Sequence, residues 1–195
     1  YGTLCGFYAL YFAQVFAENY NRPVEELIPL LNNRDVFDGL LRPWRSTLCL
    51  APQQPYNLQG NHISALLPGD IERYVFVDGA LAEGASAAEA EAFVVHRQEL
   101  MCALKTNASD HIIFICPTDA QGGHWITVLV RRMADGNVEM LICDSIGIDR
   151  RHNESLNGLY TDLTEPEHAH LAAAAAAIPL AALAAAAIAP VMAAQ

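Results

Sequence analysis

The sequence predicts an α+β fold in which a central N-terminal helix packs on an antiparallel sheet. Three observations lead there. The opening run CGFYALYFAQVFAE (5–18) is apolar on every side, which marks a helix buried in a core rather than one lying on a surface. Three short runs, HIIFIC (111–116), HWITVLVRR (124–132) and VEMLICD (138–144), have the length and β-branched content of strands. Helical patterns precede all three, which separates the layers instead of alternating them.

After the first helix, RPVEELIPLLNN (22–33) puts Pro23 in a first turn with acids behind it, a second short helix. Residues 42–84 hold Pro43, Pro52, Pro55, Pro68 and several glycines. Only YVFV (74–77) reads as a strand there, so this is a loop-rich lobe of the kind that carries binding surface. Ser86 and Glu89 form a capping box ahead of EAEAFVVHRQELMCALK, a helix reaching about Lys105. ADGN (134–137) is a hairpin turn between the last two strands.

A chain of 195 residues suits one domain plus an appendage. The domain is assigned to 1–170 and the appendage to 171–195. That tail carries no charge, and 15 of its 25 residues are alanine. Its length is that of a membrane span, but alanine is weakly apolar and Pro179 and Pro190 interrupt it. A helix whose side chains have been truncated to alanine after His170 is the preferred reading. The start at Tyr1 without methionine reads as a start partway along a longer protein.

Against 22 acidic residues stand 11 Lys and Arg, a formal charge of −11. Nucleic acid needs basic surface and is excluded on that ground; a basic protein or peptide is the matching partner. The five cysteines, Cys5, Cys49, Cys102, Cys116 and Cys143, are odd in number and widely spaced. This is no disulfide framework, and it favours a reducing compartment, cytoplasmic or nuclear. No CxxC or close Cys/His cluster occurs, so neither a metal nor another cofactor is implied.

Cys5 opens the buried helix, where unpaired amides and the helix dipole favour a thiolate. Gly2 and Gly6 flank it, and amides nearby would suit an oxyanion. His124 is the candidate base among seven histidines, because GGHWITVLV sets it after Gly122 and Gly123 at the mouth of a core strand. The others (His62, His96, His111, His152, His168 and His170) lie in loops, in the capped helix, at a strand start or beside the tail. A catalytic imidazole also wants an orienting carboxylate, and Asp144, ending VEMLIC, is the candidate, with Asp119 the alternative. A symmetric two-residue turn at Asp135 and Gly136 would pair Asp144 with Thr127 and put it on the face opposite His124. An asymmetric turn or bulge is therefore required.

Cys5, His124 and Asp144 in that order resemble the triad of papain-like cysteine peptidases. TLCGFYALYFAQ resembles both the LCAxHxLN helix of Josephin deubiquitinases and the DCGxFxxxxA helix of the SUMO-protease (Ulp) class. HWITVLV and ICDSIG resemble the HW and DS segments of the Ulp class, whereas the residue order is that of the Josephin enzymes. The resemblance implies a papain-like fold and a deubiquitinase or ubiquitin-like protease cleaving after the modifier's C-terminal glycine. It makes ubiquitin or a ubiquitin-like protein and its conjugates the partners, with Trp125 covering the glycine-bearing tail; on the residues themselves, Gly122 and Gly123 leave room for a substrate chain to pass and Gly6 lets backbone approach it closely. Trp125 is equally a core aromatic at a strand start. Josephin enzymes carry an oxyanion Gln shortly before the cysteine; Gln14 and Gln121 are poor substitutes for it. The alternatives are an effector-type acetyltransferase using the same triad, as from a pathogen into host cytosol, and an inactive ubiquitin-binding module.

Overall fold

Eleven of the fifteen residues of α1 (Cys5–Asn19) are buried, as its all-round apolar pattern requires. The computed structural model describes residues 4–51, 56–70, 75–77, 86–106, 108–117, 124–145 and 154–164. The elements after α1 are α2 (Val24–Leu31), α3 (Arg34–Thr47), α4 (Gly60–Leu66), β1 (Val75–Val77), α5 (Ala87–Lys105), β2 (His111–Pro117), β3 (Trp125–Arg132), β4 (Val138–Cys143) and α6 (Glu154–Thr164). The Ala-rich tail lies outside the described residues, as does the Glu89 side chain of the expected capping box.

The class is α+β, with two corrections. The sheet, in order β1-β2-β3-β4, is mixed rather than antiparallel: β1 runs parallel to β2, because the connection between them contains α5 and a parallel pair needs such a crossover. Helices also cover both faces. Ile113, Ile115, Leu129, Leu141 and Cys143 face a core shared with α1 to α4. Their neighbours Ile112, Phe114, Val128, Val130 and Ile142 face a second core with Met101 and Leu104 of α5 and Leu156, Leu159 and Leu163 of α6. Burial on both faces explains why these strands read as continuous apolar runs.

The lobe at 42–84 holds more helix than its prolines predict. α3 passes through Pro43, which lies on the exposed side of the helix together with Gly39, whose carbonyl loses its partner; water can take that bond. Asn33 caps α3, its Oδ1 accepting from the Val36 amide at 3.2 Å. The Tyr11 hydroxyl of α1 reaches the carbonyls of Leu30 and Asn33 and so pins the α2–α3 junction to the buried helix.

Between β3 and β4 the turn is asymmetric. The Gly136 amide donates to the Met133 carbonyl at 2.9 Å and the Met133 amide to that of Asn137 at 2.7 Å, leaving Ala134, Asp135 and Gly136 as a three-residue loop. Gly136 has φ +86, the left-handed value that closes such loops. Thr127 consequently pairs with Cys143, one residue away from the partner a symmetric turn gives.

Arg131, 2% exposed, ties this hairpin to the far end of α1. Its Nε donates to Glu139 Oε2 at 2.7 Å and its Nη1 to the carbonyls of Tyr20 and Arg22. Replacing it with Met leaves those carbonyls without their donor, so Arg131→Met should cost about 2–4 kcal/mol in urea unfolding. Arg131→Lys should recover little, because an ammonium cannot span the fork. A loss under about 1 kcal/mol for Arg131→Met would show that the anchor contributes no more than an ordinary hydrogen bond.

Candidate active site

Cys5 is the first residue of α1, His124 immediately precedes β3, and Asp144 immediately follows β4. All three are buried and the structure brings them together at one end of the sheet. His124 Nε2 donates to Asp144 Oδ1 at 2.8 Å, with the Asp144 side chain fully enclosed. That bond fixes the ring and leaves Nδ1 for the thiol. Nδ1 is buried with no hydrogen-bond partner among the described residues, and Cys5 is, after Asp144, the other side chain that acts on the imidazole.

The protonation of the pair follows from these contacts. Burial works against a charged imidazole, yet the Asp144 hydrogen bond and then Cys5 outweigh it and push the His124 pKa up to about 9. Burial likewise raises the Cys5 thiol, but His124, the backbone amides of Trp125 and Gly6 and the imidazolium charge bring it below its ordinary value. Among the described residues no side chain caps the N-terminus of α1, and no acid lies in its first turn, which leaves its amide donors and dipole to favour negative charge on the sulfur. Both shifts favour the thiolate–imidazolium form of the pair, in which the base already holds the nucleophile's proton.

The remaining expected site residues divide. Gly6 admits no side chain: a Cβ there would lie 2.7 Å from Leu58 Cβ. The close approach seen at Gly6 is that of Leu58. Trp125 is buried, and its indole Nε1 donates to the Leu58 carbonyl at 2.8 Å, which is the core-aromatic alternative. Gly2, Gly122, Gly123, Asp119 and Gln121 lie outside the described residues. Gln14 bonds Glu18 on the surface of α1. Leu58 was hidden within the proline-rich lobe, where no local pattern marks it.

The other described histidines have separate surroundings. His62 Nδ1 accepts from the Gln59 amide, His96 lies beside Glu99 on exposed α5, and His111 stacks on Tyr20. All five cysteines are free thiols; Cys49 and Cys102 are exposed, the latter despite its apolar sequence surroundings. Among the described residues there is no cluster of three His, Cys, Asp or Glu side chains suited to a metal ion, and no helix long and apolar enough to cross a membrane.

The rate of Cys5 alkylation by iodoacetamide, followed against pH, should rise at lower pH than an ordinary thiol. Asp144→Ala removes the bond that raises His124, so the imidazolium thins out at neutral pH and the profile moves upward. Below both thiol pKa values, each unit of that move slows alkylation about tenfold. Asp144→Asn, which keeps an acceptor, should fall between. A profile identical in wild type and Asp144→Ala would dismiss Asp144 as the orienter.

No protein-family model, curated protein or solved structure matches the chain.

Proposed function

We propose that the protein is a thiol-dependent isopeptidase of the papain-like kind, removing ubiquitin or a ubiquitin-like modifier from its conjugates. The observation that carries this reading is the buried Cys5–His124–Asp144 arrangement, with Asp144 bonded to imidazole Nε2 and Cys5 and His124 each favouring the other's charged form. Cysteine-peptidase chemistry uses a nucleophile, a base and an orienter in that order of contact. The modifier is taken from the motif resemblance and from the net charge of −11, which suits a basic partner.

The Cys5 thiolate attacks the carbonyl carbon of the modifier's terminal glycine. His124 Nδ1–H then gives its proton to the departing lysine amine as the C–N bond breaks, leaving a thioester on Cys5. Water attacks the thioester, His124 takes its proton, and the released sulfur regains the imidazolium as counter-ion. Asp144 stays ionised throughout, stabilising the charged ring. The first-turn amides of α1 favour negative charge on the neighbouring carbonyl oxygen.

Electrophilic probes built on the C-terminal glycine of ubiquitin and of other modifiers test this directly. One of them should form an adduct that peptide mass mapping places on Cys5, abolished in Cys5→Ala. The exposed Cys49 and Cys102 act as internal controls. Labelling there with Cys5 untouched, or acylation of Cys5 by acetyl donors but by no modifier probe, would overturn the isopeptidase reading.

A further inference from the structure

We infer that Trp125 and Leu58 form a brace that sets the spacing between the Cys5 thiol and His124, with Trp125 a positioning residue acting through Leu58 rather than a cover over substrate. The inference rests on Cys5 and His124 being the working pair. They lie 119 positions apart in the sequence and on different elements, so noncovalent contacts must hold them in register to a fraction of an ångström. One such contact, from Thr127 Oγ1 to the Ala9 carbonyl at 2.8 Å, joins β3 to α1 a turn beyond the thiol. The first turn of α1 has no side-chain cap.

Leu58 supplies what is missing there. Its carbonyl accepts from the indole of Trp125, the residue after the base. Its side chain abuts Gly6, the residue after the nucleophile, with no space for a methyl group between them. Leu58 and Trp125 are 1% and 4% exposed, so neither can slide without opening a cavity. The chain of contact runs Cys5–Gly6, Leu58, Trp125–His124. A buried indole N–H needs an acceptor, and here the acceptor is the backbone of the segment that also presses on the nucleophile's helix.

Trp125→Phe removes the N–H and keeps an aromatic ring. Leu163→Ala, in the core on the sheet face away from α1, serves as a control for stability alone. Both are measured by thermal melting and by the pH profile of Cys5 alkylation, which needs no substrate. Trp125→Phe should shift the profile upward and slow alkylation at pH 6 about three- to tenfold, while Leu163→Ala lowers the melting temperature and leaves the profile in place. If Trp125→Phe fails to fold, Leu58→Val, which withdraws a contact from Gly6, carries the same test with a smaller shift of the same sign. A depressed wild-type profile that the substitution leaves unmoved, or equal shifts from Trp125→Phe and Leu163→Ala, would overturn the brace alone. An ordinary thiol profile in the wild-type protein would overturn the isopeptidase reading and the brace with it.

Discussion

A helix that is apolar on every side cannot face water, and the rest of the fold is arranged to enclose α1. The sheet covers one side of it, and α2, α3 and α4 cover the remainder. Two hydrogen-bonded anchors fix its direction. Thr127 of β3 holds the Ala9 carbonyl, and Arg131, four residues along the same strand, holds the carbonyls of Tyr20 and Arg22. Ala9 to Tyr20 spans about 16 Å of helix and Thr127 to Arg131 about 13 Å of strand, so helix and strand run side by side in one direction. The start of α1 is thereby brought to the start of β3, and the thiol to the imidazole.

Enclosure has an electrostatic cost. Removing the Cys5–His124–Asp144 group from water disfavours each charge singly, yet each neighbour restores what burial takes. With a folded-state pKa of about 9 against 6.5 for the free side chain, protonated His124 contributes stability that is fully present below 6.5 and is lost as pH rises toward 9. Cys5, depressed below its ordinary value, contributes stability present above the ordinary thiol range and lost as pH falls through its folded value. The two are descriptions of one ion pair, which is populated between the lowered thiol value and the raised imidazole value.

The sequence made legible whatever depends on local pattern. The run from Cys5 announces its own burial, HIIFIC and HWITVLV announce strands, and the motifs single out Cys5, His124 and Asp144, which the fold gathers at one end of the sheet. Long-range packing was not legible. Strands buried on two faces and strands buried on one are separated only by the alternation of polar residues, and the lack of polar residues here reflects helices on both sides, which the expected layering did not include. α3 was missed at Pro43 because a proline on an exposed helical face costs far less than one in a core. Leu58 carries no local signal, since its importance comes from what Gly6 and Trp125 do around it.

The hairpin turn shows how one residue of register bears on the chemistry. With Ala134 to Gly136 as the loop, Thr127 meets Cys143, and continuing the ladder sets Asp144 opposite Ile126. His124 and Asp144 then share a face, as a symmetric turn would forbid. By strict alternation that face is the one packed on α5 and α6, where Ile126, Val128 and Val130 lie. The last β3–β4 pair, however, is Thr127 with Cys143, and the strands stop short of His124 and Asp144: β3 begins at Trp125 and β4 ends at Cys143. One residue past a strand's end the pleat no longer dictates direction, and the two side chains bond each other beside the start of α1. Residues inside the sheet are committed to one core or the other. Those just beyond the strand ends share parity without that commitment, which is why the base and its carboxylate sit where β3 begins and β4 stops.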